Sequence, residues 1–195
     1  MIEYFEARAK NYRERSGRGL WSQFRRFELD AICELLAPQE GQRLLELGCG
    51  AGYYSLHLRS KFAMQILAVD SSPAMLSELE GCDGIETWLG DADSFPLDRR
   101  FDSVLAAGLF EFVKDPAPAL ERASRALVPG GRLVLLVPPA GWRGTLYAHA
   151  HDCPVFIREM EDYIRLGSNC GFEIHRRLHC TPISTALEFR RAPSA

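Results

Sequence analysis

The stretch Leu44-Leu45-Glu46-Leu47-Gly48-Cys49-Gly50-Ala51-Gly52 reads as a short strand running into a glycine-rich corner, with a helix opening behind it. Glycines at such a corner remove side chains, so the backbone can approach a bound ligand. Amides at the start of the following helix supply donors for an acceptor group on that ligand.

Two features separate this corner from a dinucleotide site. The G-x-G-x-x-G pattern puts its third glycine at the sixth position, and here that position is Tyr53, with the third glycine one residue earlier at Gly52. Glu46 also stands just ahead of the first glycine. A carboxylate there repels a pyrophosphate and favours a ligand carrying an ammonium group.

Outward from this corner, short apolar runs alternate with helical segments. Leu44–Leu47, Gln65–Val69, Ile85–Leu89, Asp102–Ala106 and Arg132–Val137 are predicted strands one to five. Leu133–Val137 is continuously apolar, as a parallel strand buried on both faces should be. Ser72-Pro73 and Asp115-Pro116 are helix starts, each with a capping side chain ahead of a proline. The first of these helices carries Met75, Leu76 and Leu79; the second carries Leu120, Ala123 and Leu127 on one side. Pro129-Gly130-Gly131 turns the chain into the fifth strand. Residues 138–157 have no clear periodicity. A helix around Arg158–Leu166 follows, ended by Gly167, and then strands Phe172–Leu178 and Ser184–Phe189. Ahead of the first strand, residues 1–37 read as two helical pieces broken at Ser16-Gly17-Arg18-Gly19. The second has an apolar stripe of Phe24, Phe27, Ala31 and Leu35, closed by Pro38 and Gly41. The alternation predicts an α/β fold, a parallel sheet covered by helices on both faces.

Two more carboxylates fall at strand ends. Asp70 closes the second strand, 22 residues after Gly48, where an acid accepts hydrogen bonds from a ribose diol. Asp91 follows the third strand in Gly90-Asp91-Ala92-Asp93. An acid there accepts from the exocyclic amine of adenine, while a neighbouring amide reads a ring nitrogen; Asp93 competes for the role. Three acids at three successive strand ends would then address amine, ribose and base.

Leu45–Gly52 resembles motif I of the class I S-adenosylmethionine-dependent methyltransferases. Ala68-Val69-Asp70-Ser71-Ser72-Pro73-Ala74-Met75-Leu76, Gly90-Asp91-Ala92, Phe101-Asp102-Ser103-Val104 and Leu127-Val128-Pro129-Gly130-Gly131-Arg132-Leu133 resemble that family's later segments, in order, over about residues 42–137. The resemblance implies a Rossmann-like three-layer sandwich with a seven-stranded, mostly parallel sheet ordered 3-2-1-4-5-7-6, strand seven antiparallel. It implies S-adenosyl-L-methionine as cofactor and S-adenosyl-L-homocysteine as product. Gly48, Gly50 and Gly52 would lie beneath the cofactor, with Cys49 in the same turn and Ser71 or Met75 beside the adenosine. Glu46, Asp70, Asp91 and Ala92 would supply polar contacts, and Ala107, Gly108 and Leu109 would flank the methionine end. Tyr12 resembles an N-terminal tyrosine that covers the cofactor in members acting on small molecules. The chain departs from the common pattern at Glu111, where many members carry histidine. It also lacks the Asn/Asp-Pro-Pro-Tyr/Phe signature of amino-group methylation after the fourth strand.

The chain's 195 residues suit one methyltransferase domain: a helical arm or lid over 1–40, a cofactor-binding core over 41–137, and a loop and sheet edge over 138–195. With 47% hydrophobic and 25% charged residues it reads as globular. No apolar run approaches the roughly 20 residues of a spanning helix, and the N-terminus has no apolar signal segment, so a cytoplasmic protein is expected. Net charge −3 counts against nucleic acid as a partner. The arginines of Arg8–Arg26 form a solvated cationic helix face or a lid that meets an anionic substrate.

Six cysteines without a CxxC pair are expected to be reduced, and no metal site is expected. His149 and His151 are candidate bases in a loop over the ligand end of the sheet, although positioning alone can drive a methyl transfer. No residue is assigned as catalytic. Trp21, Trp142, Tyr147 and Phe156 are candidate walls of an apolar acceptor pocket. The expected function is methyl transfer to a small molecule by in-line displacement. The alternatives are a protein or RNA methyltransferase with the same cofactor, or a binding module without catalysis.

Overall fold

In the computed structural model, residues 19–192 are described, with side chains from residue 22 onward. Tyr12 and the arginines up to Arg18 lie outside the described residues. Strands β1 (Arg43–Leu47), β2 (Gln65–Asp70), β3 (Ile85–Leu89), β4 (Phe101–Ala107), β5 (Leu127–Val137), β6 (Phe172–Thr181) and β7 (Ser184–Arg191) form one sheet ordered β3-β2-β1-β4-β5-β7-β6. The first five run parallel; β7 is antiparallel to both β5 and β6. This is the expected seven-stranded, Rossmann-like sheet.

Alternation along the strands sends neighbouring side chains into two separate cores. Leu45, Leu47, Leu67, Val69, Val104, Leu133 and Leu135 face one side, where α4 (Ala117–Ala126) buries Leu120 and Ala123 and α6 (Met160–Asn169) buries Tyr163. Leu44, Ile66, Ala68, Leu105, Val134 and Leu136 face the other, against Ile32 and Leu35 of α1 (Gly19–Leu36) and Tyr54 and Leu58 of α2 (Tyr53–Phe62). The three layers follow from strands that are apolar at both parities. Because β1 is central, both faces of Leu44–Leu47 are covered, and Glu46 is buried with them.

Several boundaries differ from the sequence reading. In α1 the buried face is Glu28, Ala31, Ile32, Leu35 and Leu36, while Phe27 is 55% exposed, so Phe27 does not belong to the apolar stripe. The Arg132 guanidinium closes this helix by donating to the carbonyls of Leu35 (3.1 Å) and Leu36 (3.0 Å). Leu127 does not end α4; it begins β5, whose pairing with β4 jumps from Phe101↔Leu127 to Ser103↔Arg132 across the Pro-Gly-Gly turn. Residues 138–157, expected to lack periodicity, contain helix α5 (Gly141–His149). Only Gly144 of α5 is buried and Trp142 is 73% exposed, so no apolar stripe marks the helix. Gly167 does not end α6, which runs on to Asn169 with Gly167 buried inside it. The start at Ser72 holds: its Oγ accepts from the Met75 amide at 3.3 Å ahead of α3 (Pro73–Leu76). Ahead of α4 the cap position falls on Pro116 rather than Asp115, whose carboxylate accepts from the Ala117 amide at 3.1 Å.

Candidate active site

A cavity of about 520 Å³ opens at the carboxyl ends of β1, β2, β3 and β4, the end at which open α/β sheets bind ligands. Of the residues expected to hold a cofactor, Glu46, Gly48, Cys49, Gly50, Asp70, Ser71, Met75, Asp91, Ala92, Ala107, Gly108 and Leu109 line it together. A cleft of similar size, about 540 Å³, lies at the amino ends around Arg43, Gln65, Glu86 and Arg99. There Arg99 is paired with Glu86 at 2.6 Å, and none of the glycine corner is present.

The corner is tied down by an acid of the neighbouring strand. Asp70 Oδ2 accepts from the Gly50 amide at 2.8 Å, and Oδ1 accepts from the Ser72 amide at 2.9 Å. Burial raises its pKa, against the pull of those amides. Each oxygen keeps a second lone pair for a ligand hydroxyl. Gly48 has φ +66°, and a Cβ there would sit 2.8 Å from Leu109 Cδ1, so the cavity floor has no space for a side chain.

Gly52 is expected beneath the ligand, but it is not on the cavity wall. It sits at φ +77° ahead of α2, where a Cβ would lie 2.8 Å from Leu79 Cγ; its role is to let α2 pack.

Glu46 is 1% exposed and accepts a hydrogen bond from the Ser55 hydroxyl. Burial pushes its pKa up to about 7; Ser55 opposes this and nearby Asp70 adds to it. Cys49 is buried and its thiol is held protonated, chiefly by the same desolvation. Asp91 and Asp93 both line the cavity and both are exposed.

Residues the sequence reading missed complete the wall. Arg25 reaches in from α1, donating to the Tyr54 hydroxyl at 2.7 Å, while that hydroxyl donates to Glu28 at 2.8 Å. Tyr53, in the place of a dinucleotide site's third glycine, lines the cavity beside them, its ring edge-on to Tyr54 at 5.2 Å. Arginine and paired tyrosines at these positions were the available signal. Phe112, Val113, Ala119 and Pro154 form a more apolar stretch of wall beside the expected Phe156, with the charged Lys114 and Asp115 next to them.

Of the expected acceptor-pocket aromatics only Phe156 lines the cavity. Trp142 points to solvent, and the Trp21 side chain lies outside the described residues. Tyr147 donates to Glu111 Oε1 at 3.0 Å instead. His149 and His151 are not on the wall; each places Nδ1 on a carbonyl four residues back, Thr145 at 2.7 Å and Tyr147 at 2.9 Å.

The donor set fits S-adenosylmethionine. Carboxyls from three strand tips, an alanine amide beside Asp91, and a side-chain-free floor suit a cationic adenosine derivative. The same acids would oppose a pyrophosphate.

Comparison with known proteins agrees. Residues 45–135 match the family described as "Methyltransferase domain". An uncharacterized methyltransferase of Mycobacterium bovis is 38% identical over 103 residues, covering 52% of this chain and 42% of the relative. A tRNA U34 carboxymethyltransferase of Haemophilus influenzae is 28% identical over 116 residues, covering 56% of this chain and 36% of its own. The chain thus spans less than half the length of these curated relatives. Among solved structures, magnesium protoporphyrin IX methyltransferase from Synechocystis with bound S-adenosylhomocysteine superposes with TM-score 0.78 at 17% identity, covering 98% of each chain. A Haloferax volcanii methyltransferase, in complex with the Trm112 methyltransferase activator, superposes with TM-score 0.79 at 20% identity, covering 97% of this chain and 98% of that one. Residues 45–135, just under half of the chain, thus carry the likeness to the methyltransferase-domain family, and the sheet has the Rossmann-like order of S-adenosylmethionine-dependent methyltransferases.

Proposed function

We propose that the protein transfers a methyl group from S-adenosylmethionine to a small-molecule acceptor. The observation that carries this is the gathering of Glu46, Asp70 and Asp91 from three strand tips around one cavity that Phe112, Val113, Pro154 and Phe156 also line. In this reading Glu46 faces the ligand's ammonium, Asp70 accepts from its ribose diol, and Asp91 with the Ala92 amide reads the adenine. Gly48 and Gly50 admit the ligand to the backbone, with Cys49, Ser71 and Met75 around the adenosine and Ala107, Gly108 and Leu109 at the methionine end. S-adenosylmethionine, when bound, supplies a methyl on a positively charged sulfur with a neutral thioether as leaving group.

The chain's own task is to hold an acceptor in line and keep water away. Phe112, Val113, Pro154 and Phe156 suit an apolar acceptor surface, with Lys114 and Asp115 at its rim. Among the described residues no two cysteines are joined in a disulfide, which suits a reducing compartment, and we read the protein as cytoplasmic. Among the described residues no helix is long and apolar enough to cross a membrane.

A second reading, with RNA as acceptor, draws on the tRNA-modifying relative. Thermal denaturation tests the shared part. S-adenosylmethionine at about 100 times its Kd should raise Tm by roughly 5–10 °C, whereas NAD should leave it unchanged; the reverse pattern overturns the cofactor assignment. Labelled methyl donor with size-fractionated cell extract then tests the acceptor. Label in small molecules is expected, and label in tRNA or protein overturns the small-molecule reading.

A further inference from the structure

Behind the cavity floor lies a carboxyl that is only half satisfied. Glu111 follows the tip of β4 in a turn closed by the Phe112 amide on the Leu109 carbonyl at 2.9 Å. The residue is 1% exposed. Its Oε1 accepts from the Tyr147 hydroxyl at 3.0 Å, while Oε2 is buried with no hydrogen-bond partner among the described residues. Leaving a buried carboxyl oxygen unpaired is costly, and such a group calls for an explanation. Gly108 stands between it and the ligand space: a Cβ there would lie 3.6 Å from Glu111 Oε1, and Gly108 itself lines the cavity. A single glycine backbone therefore separates this carboxyl from whatever the cavity holds.

We propose that Glu111 makes the cavity prefer a sulfonium over a thioether, its charge acting across Gly108 on the ligand's sulfur end. This rests on the cofactor reading above and goes beyond it, assigning Glu111 to binding the methyl donor and releasing the spent product. Glu111 is a positioning residue; it acts through its field and does not touch the reacting atoms.

The surroundings suit that task. From α1, Arg25 and Glu28 act on Glu111 with opposite signs; Arg25 is already engaged by Tyr54 at 2.7 Å. Tyr147 approaches from α5 and Tyr163 from α6. Arg158, ahead of α6, spends its guanidinium on the carbonyls of Phe110 (2.6 Å), Val113 (2.7 Å) and Lys114 (2.8 Å). Among the described residues no cation is placed directly on Glu111. Burial accordingly pushes its pKa up to about 7, with its own backbone amide and then Tyr147 pulling the other way. A positive charge arriving beyond Gly108 favours the ionised form, so the two events are linked. S-adenosylmethionine and S-adenosylhomocysteine share the same ammonium and differ by one charge at sulfur, so the ratio of their affinities isolates the effect.

Isothermal titration of both ligands at pH 5.5, 6.5 and 7.5 tests this on the wild type, Glu111→Gln and Tyr147→Phe, with circular dichroism to verify folding. In the wild type, preference for the sulfonium should rise about tenfold from pH 5.5 to 7.5. Glu111→Gln should abolish the rise. Tyr147→Phe, which removes a donor to the carboxylate, should move its midpoint to higher pH. A flat ratio in the wild type, or the same rise in Glu111→Gln, overturns the proposal. If Glu111→Gln does not fold, an unmoved midpoint in Tyr147→Phe overturns it. Binding of both ligands with a pH-independent ratio would remove the Glu111 role alone. Binding of neither by folded wild type would remove the cofactor reading with it.

Discussion

Glu46 carries a carboxyl into the middle of a sheet, and its burial changes when that carboxyl is charged. The group ordinarily titrates near 4.5; in the folded chain desolvation moves it to about 7. It therefore binds its proton more firmly in the folded than in the unfolded state. The linkage relation then makes the ligand-free protein most stable below about pH 4.5 as far as this group is concerned. That stability declines as pH rises through about 7. The full decline for Glu46 is on the order of 3 kcal/mol. Glu46→Gln keeps an acceptor for the Ser55 hydroxyl and carries no titrating proton. Urea denaturation from pH 5 to pH 7.5 should show a downward slope in the wild type that is markedly flatter in this variant; equal slopes would mean that Glu46 titrates normally.

At the scale of elements, α6 shows how tightly the helices are fitted to the sheet. Gly167 lies within the helix, and a Cβ there would sit 2.7 Å from Cε1 of Phe189 on β7. Glycine inside a helix ordinarily weakens it, so alanine should help on propensity alone. Here overpacking decides the sign: Gly167→Ala is expected to cost about 1–3 kcal/mol, read as a lower Tm. An unchanged or higher Tm would show that the Phe189 ring moves aside freely.

The same position explains what a sequence hides. Gly167 looks like a stop signal because a glycine's local preference is visible and its tertiary neighbour is not. Strands such as Leu133–Val137 are legible because they are apolar at both parities and sit between clear turns. Helix α5 is not, since its lining of exposed Trp142 and Leu146 carries no periodic face. In the site, the glycine corner and the acids Asp70 and Asp91 announce themselves by order and spacing. Arg25, Tyr53 and Tyr54 do not, because their meeting depends on how α1 packs beside α2.

Across the whole molecule, the sheet order puts β1 and β4 side by side at the centre, and their tips carry the two halves of the cavity floor, Gly48 and Gly108. The same adjacency brings Asp70 on β2 against the corner after β1. With one oxygen on the Gly50 amide and the other on the Ser72 amide, Asp70 holds two chain segments in register before any ligand arrives. A receptor shaped in advance loses little freedom on docking, so the corner should need no folding step of its own to accept a guest. Hydrogen–deuterium exchange offers a direct readout. In ligand-free protein the Gly50 and Ser72 amides should resist exchange like those of the strands, and Asp70→Asn should release both by at least about tenfold. Fast exchange of these two amides in the wild type would instead describe a mouth that takes its shape only around its occupant.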